Sequence, residues 1–324
     1  MTTTSAAPAP PVCSVCGASR FHPTIFGGLR FQGQTFDRLE CDRCGFIFVN
    51  PIPDAATFEA MYADSYFDGY YAGGDEVGYD GSADAVRRKA AAILDRLKPY
   101  QPTGALLDVG CAGGHFLGEA KRRGYATLGI EVNAAMAQQA RDEYGVDVIV
   151  GTYESADLES SGRRFDVVYM GDALEHLPDP RQALARLSRL LTPNGVFLLN
   201  GPLTLNTSLF TIVLRLKLWL SKGRRAWYAD GAPYHLSEWN ATTQRLFLVN
   251  CGFDVLEFGT HEEPGRPAAV IAAALKRPLT PAEQFARRLK SLSAWTTNAF
   301  FKPFGWGDRV IAVARLAPST RRAE

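Results

Sequence analysis

Between residues 83 and 259 the apolar positions of the chain switch repeatedly between two periods. Val86, Ala90, Ile93 and Leu97 recur at three- and four-residue intervals, which predicts an amphipathic helix over 83–98 that Pro99 ends. Short apolar runs then alternate with helical periodicity. The runs predict strands over 105–109, 127–131, 146–150, 165–170 and 196–200, and the intervening stretches predict helices over 116–123, 134–144, 180–191 and 242–250. Two later strands are expected over 253–259 and 309–315. Gly124 and Gly145 stand where a helix must turn off, and Pro193-Asn194-Gly195 reads as a turn. This rhythm is that of an α/β fold, a doubly wound, mostly parallel sheet of seven strands with helices on both faces. Two insertions interrupt it, over 202–233 and 262–306, and no internal repeat is visible.

Composition narrows the partners. The 324 residues hold 35 Lys plus Arg against 34 Asp plus Glu. No global field therefore draws the chain to nucleic acid or anionic lipid, and any such binding must come from a local patch. Residues 1–12 contain no basic residue and no sustained apolar run, so they read as a disordered tail without the layout of a signal peptide, in keeping with a cytoplasmic protein. Leu205 to Leu220 is the most apolar stretch, but it falls short of the ~20 residues of a spanning helix and contains Arg215 and Lys217. Residues 50–82 follow a Pro-rich seam and carry Tyr62, Tyr66, Phe67, Tyr70, Tyr71 and Tyr79, an aromatic linker or lid. A second tail is expected over 317–324.

Four of the six cysteines fall in residues 13–49 as two knuckles, Cys13-x-x-Cys16-Gly17 and Cys41-x-x-Cys44-Gly45. Tetrahedral zinc takes four thiolates, and each tight two-residue turn brings a pair onto one ion. Disulfides or a redox pair are the competing readings, and the coincidence of two matched knuckles favours a zinc ribbon. A site with all four positions filled is structural, whereas ribbons can also recognise protein or nucleic acid.

The stretch Asp108-Val109-Gly110-Cys111-Ala112-Gly113-Gly114-His115-Phe116 runs from a strand through a glycine-rich turn into a helix, which lets a ligand lie against bare backbone. Ala112 and His115 break the dinucleotide fingerprint and argue against a nicotinamide-dependent oxidoreductase; the Lys-Ser/Thr pair of ATP loops is missing. A ligand without phosphates is implied.

With acidic Glu131 at the end of the next strand, this motif resembles that of the class I S-adenosylmethionine-dependent methyltransferases, and the cysteine leader is similar to that of members with an N-terminal zinc module. The resemblance covers about 82–259 plus the late strand. It implies that Asp108 sits near the methionine ammonium and Glu131 accepts from the ribose hydroxyls, with Gly110, Cys111, Gly113, Gly114, Phe116 and Val132 around them. Where the family often reads adenine with an acid, this chain has Gly151-Thr152-Tyr153-Glu154, leaving Thr152 and Tyr153 as candidates. Met170, Gly171 and Asp172 follow the fourth strand, between cofactor and acceptor. His176 and His235 are the candidate general bases; His176 reads equally as a histidine that orients backbone near a helix start, and for His235 the resemblance implies a histidine facing the acceptor pocket.

The resemblance thus implies methylation of a small-molecule acceptor, such as a sugar, a lipid-linked precursor or a natural product. The competing reading is a ribbon-based binding module on an inactive scaffold. In the second insertion, Arg287, Arg288 and Lys290 precede Trp295, Phe300, Phe301, Phe304 and Trp306, a mixture suited to a membrane surface. The alternative, which the pattern favours, is a helix packed on the domain with a solvated charged face. Oligomeric state is not legible.

Overall fold

The computed structural model describes residues 11–61, 83–204, 206–220, 228–264, 267–275 and 277–318. The predicted aromatic segment Tyr62–Tyr79 lies outside them. Four strands open the chain: β1 (Phe21–Pro23), β2 (Gly28–Phe31), β3 (Gln34–Cys41) and β4 (Ile47–Asn50). The strands β5 (Gly104–Val109), β6 (Tyr125–Glu131), β7 (Asp147–Val150), β8 (Phe165–Gly171) and β9 (Leu191–Pro202) follow. Two short strands, β10 (Tyr228–Asp230) and β11 (Ser237–Glu238), precede β12 (Phe253–His261) and β13 (Arg309–Leu316).

The large sheet runs β12-β13-β9-β8-β5-β6-β7, with β13 antiparallel to both neighbours and the five strands from β9 to β7 parallel. Its central strands read as near-continuous apolar runs because both faces are covered. Residues adjacent in sequence go to opposite faces. Leu106, Val167, Leu198 and Val313 pack with Ile93, Leu94 and Leu97 of the helix Ala83–Leu97. Leu107, Val168, Phe197 and Ala312 belong to the second layer, with Leu184, Leu187, Trp239 and Phe247.

Two boundaries differ from expectation. The helix expected to reach residue 191 stops at Ser188, and Leu191 already belongs to β9. Pro193-Asn194-Gly195 is therefore not a free turn; the register slips between Phe165↔Leu191 and Val167↔Val196, so these residues form an irregularity within the strand. Gly145 caps the helix Ala134–Tyr144 in the left-handed region, as its position predicts.

The small sheet runs β10-β2-β3-β4-β11, with β1 also on β3. Residues 228–230 and 237–238 thus cross over from the far side of the first insertion to complete the cysteine module. The module is also pinned from below. Arg181 donates to the carbonyls of Ser14 (2.8 Å), Val15 (3.1 Å) and Asn250 (3.3 Å), and the Asn250 amide donates to Val15 as well. Phe46 packs on Trp239 with centroids 4.6 Å apart, and both are buried. Arg181→Ala removes three hydrogen bonds from a charged donor, so unfolding in urea should show a loss of about 2–4 kcal/mol; an unchanged midpoint would mean that the module is held by apolar packing alone.

Candidate functional site

A cavity of about 1120 Å³ opens at the carboxyl edge of the parallel strands, where open α/β sheets take their ligands. Asp108, near the end of β5, and Glu131, at the end of β6, are both buried and both line it. The turn between them is fixed by backbone. Gly110 and Cys111 donate to the Ile130 carbonyl, and Gly110 (φ +83°) lies close enough to Ala173 that a side chain would crowd it. At Gly114 (φ +79°) a Cβ would stand 2.6 Å from that of Ala140, so glycine there lets the helix His115–Arg122 lie against the helix Ala134–Tyr144. Ala112 adopts positive φ without being glycine, and its amide donates to Glu131 Oε2 at 2.9 Å. The Asn133 amide donates to Oε1 at 2.8 Å, so each carboxylate oxygen is aimed by one main-chain N–H. Burial raises the Glu131 pKa, and these amides oppose the rise.

Phe116 and Tyr169 wall the cavity as a stacked pair with centroids 3.8 Å apart. Burial holds the Tyr169 phenol far above its usual range, so it stays protonated. Val132, Thr152 and Tyr153 line the cavity beside Gly151. The Thr152 hydroxyl exchanges hydrogen bonds with Ser155, leaving Val132, 53% exposed, as the apolar rim.

At the other end, β8 delivers Gly171 and Asp172, and the turn Leu174–His176 follows. The Asp172 carboxylate faces Arg309 of β13 in two bonds, 2.6 and 2.8 Å, with Lys89 at 3.5 Å. Although burial alone would raise it, Arg309 and Lys89 hold this carboxyl well below the ordinary range. Burial, followed by the charge of Asp172, pushes Glu175 up to about 8. His176 Nδ1 lies 2.8 Å from the Tyr234 carbonyl. A carbonyl can only accept, so Nδ1 carries the proton of the neutral ring and Nε2 presents its lone pair. Nε2 is 3.7 Å from Glu175 Oε1, and the His235 ring stands edge-on to His176 at 5.0 Å. One ligand atom from each of Glu175, His176 and His235 lies within 4.8 Å of the others. Burial lowers both histidines, His235 to about 4 with the His176 charge adding to the effect.

The cysteine module reaches this end through main chain. Val49 of β4 donates to the Leu236 carbonyl at 3.0 Å, and Leu236 donates to the Glu175 carbonyl at 2.8 Å. His235 is therefore held between the small sheet and the turn bearing His176. Within the module the sulfurs of Cys13 and Cys44, and of Cys16 and Cys41, are 3.6 Å apart, and all four lie within 4.8 Å of one another. A tetrahedron with Zn–S bonds of ~2.3 Å has edges of about 3.8 Å, so the four thiols fit one zinc ion.

The structure brings nearly all the predicted site residues to one cavity. Met170 is the correction: side chains alternate along β8, so Tyr169 and Gly171 face the cavity while Met170 is buried in the core behind it. Gly113 and Gly114 do not line the cavity either, and shape the turn from behind. Asp172 lines it, but with its charge engaged by Arg309. Lys89, Tyr169, Glu175, Asn200, Glu263 and Arg309 line the cavity without having been singled out. Tyr169 and Glu175 flank predicted positions and were within reach; Lys89 and Arg309 come from elements remote in sequence, and only the pairing of β13 with β9 brings Arg309 near.

The methyltransferase domain family matches residues 83–258, more than half of the chain. The chain belongs to that family, and its fold is the class I, Rossmann-like one of S-adenosylmethionine-dependent methyltransferases. Among relatives, it is 35% identical over 145 residues to the ubiquinone biosynthesis O-methyltransferase of Alkalilimnicola ehrlichii, covering 41% of this chain and 57% of the relative. It is 30% identical over 131 residues to that of Azorhizobium caulinodans, covering 38% and 51%. The chain thus spans little more than half the length of these relatives. The structure of the Burkholderia thailandensis 1,6-didemethyltoxoflavin-N1-methyltransferase, with bound 1,6-didemethyltoxoflavin and S-adenosylhomocysteine, covers 90% of this chain and 99% of its own at 18% identity and a TM-score of 0.51, a likeness of fold.

Proposed function

We propose that this chain transfers the methyl group of S-adenosylmethionine to a small-molecule acceptor, in the class of a sugar, a lipid-linked precursor or a natural product, and that its four-cysteine module holds a structural zinc ion. The observation that carries the reading is the pair of buried acids, Asp108 and Glu131, on either side of a bare-backbone turn at the cavity. Asp108 would hold the cationic amino-acid end and Glu131 the ribose, each by charge-assisted hydrogen bonds. Bound there, the cofactor supplies a sulfonium methyl open to direct displacement. The chain's own work is then to hold the acceptor in line and take its proton. His176 has the oriented lone pair for that step, and His235 and Glu175 position it. The test is incubation with methyl-labelled cofactor and a fractionated extract of source cells, with mass spectrometry of the product; absence of any labelled small molecule would sink the reading.

Two predictions belong to this end of the site. His176→Asn should lower kcat by about 100-fold while leaving cofactor affinity within about twofold, because a positioned base contributes that much to rate and touches only the acceptor; loss of affinity instead would make His176 a structural residue. The pH profile is the second. Since burial lowers His176, and lowers His235 to about 4, the neutral rings persist below the ordinary 6.5. The acid limb of kcat/KM should fall below pH 6.5, and a limb at or above 6.5 would remove the pair from the proton step. Stability has the same sign for His235: the unfolded chain binds this proton first, so its share is complete above about 6.5 and is lost as pH falls towards 4.

A further inference from the structure

The two insertions leave a surface that the transfer reaction does not use. The helix Leu209–Leu220 and the helix Pro281–Thr296 meet where Phe210 N–H donates to Ser293 Oγ at 3.0 Å, and Ser293, Ala294 and Thr297 are buried there. Each helix carries a further apolar stripe that faces solvent. On the first it includes Ile212, Leu216 and Leu220, spaced four apart; on the second it includes Phe285, Leu292 and Trp295, at intervals of seven and three. Phe300 and Phe304 continue it beyond the second helix, and Phe300 meets Trp295 edge-on at 5.7 Å. Of the seventeen large apolar residues exposed among the described residues, ten belong to these two segments; Phe285 is 67%, Trp295 62% and Phe304 76% exposed. A soluble surface seldom leaves so many large apolar groups in two short segments without a partner.

Charge says what kind of partner. The chain as a whole is balanced at 35 basic to 34 acidic residues, yet residues 202–229 contain five Lys or Arg and no acid, and residues 284–307 contain four and no acid. Lys290 is paired with Glu262 and Asp308, whereas Lys217, Arg288 and Lys302 are exposed. The nearby acids Glu283, Glu262 and Asp308 are engaged by Arg277 and Lys290; apolar and aromatic side chains beside exposed cations match the boundary between headgroups and acyl chains of an anionic bilayer, where rings sit at the interface and Lys or Arg meet phosphates. No helix among the described residues is long and apolar enough to cross a membrane, so contact would be from one side. Both insertions spring from the cavity rim: Pro202, which closes β9, and Glu263, which begins the second, line the cavity.

We propose that this face docks the protein on an anionic lipid surface, with the cavity rim at Pro202 and Glu263 beside the membrane. The docking stands independently of the methyl-transfer reading. Flotation of the full chain with vesicles of phosphatidylcholine alone, or with added phosphatidylglycerol, tests it. Binding is expected only to the phosphatidylglycerol vesicles, weakened by salt, and reduced at least about tenfold in Trp295→Glu/Phe304→Glu and in Arg288→Glu/Lys302→Glu. Melting temperature and cofactor affinity serve as the controls that the variants are folded. Absence of flotation, equal flotation with both vesicles, or flotation unchanged in the folded variants would overturn the proposal. So would a dimer in sedimentation that Trp295→Glu/Phe304→Glu dissolves while the wild type ignores vesicles, which would assign the face to a second copy of the chain.

Discussion

Glu131→Ala is expected to weaken S-adenosylmethionine binding by about 100-fold, the equivalent of losing two hydrogen bonds to a carboxylate at somewhat over 1 kcal/mol each. The substitution does more than remove the oxygens proposed to receive the ribose hydroxyls. It also strips the amides of Ala112 and Asn133 of the oxygens that hold them, at 2.9 and 2.8 Å, so the turn itself should loosen. Glu131→Gln separates the two effects: it keeps one carbonyl oxygen for a main-chain amide but loses the charge, and should fall between wild type and Ala. Titration calorimetry on both variants, with circular dichroism to show that they are folded, checks the expectation. Affinity within threefold of wild type in both would mean that the cofactor binds elsewhere.

Cys41→Ser is expected to release bound zinc and lower the unfolding free energy by several kcal/mol, since structural zinc contributes directly to folding. Cys41 is buried and belongs to the same core cluster as Phe46, Trp239 and Leu184, so the damage should pass into the large domain. Because β4 holds Leu236, and Leu236 holds the Glu175 carbonyl, kcat should fall more than cofactor affinity does. Metal content by atomic emission, thermal melting and the kcat-against-Kd comparison read the three effects. A variant that keeps one zinc per chain, or melts as the wild type does, would refute the assignment.

What could be read from the chain follows the range of the interactions involved. The parallel core was legible because each strand and helix carries its own period, and the turn from Asp108 to Gly114 because its glycines and its acid are neighbours in sequence. The knuckles around Cys13 and Cys41 were legible for the same reason. Met170 was misplaced because composition marks β8 as buried but not which face each side chain takes. The pairing of Asp172 with Arg309 spans 137 residues and depends on β13 entering the sheet antiparallel beside β9, which no local pattern announces. Likewise β10 and β11 are three and two residues long, too short for an alternation to show, yet they complete the small sheet. The helices Leu209–Leu220 and Pro281–Thr296 expose several of their apolar side chains, and composition alone could not say which of them met water.

The place of β13 has a bearing on how the protein is made. It is translated after the other six strands of the large sheet but sits inside that sheet, with β12 on one flank and β9 on the other. A nascent chain that has emerged as far as β12 therefore has an open slot beside β9, and β12 has no ladder to join. Ribosome-bound intermediates of that length should be the ones that recruit chaperones or associate through bare strand edges. Arg309 arrives with the strand that fills the slot, so the guanidinium that pairs with Asp172 comes into place only as the bare edges are covered.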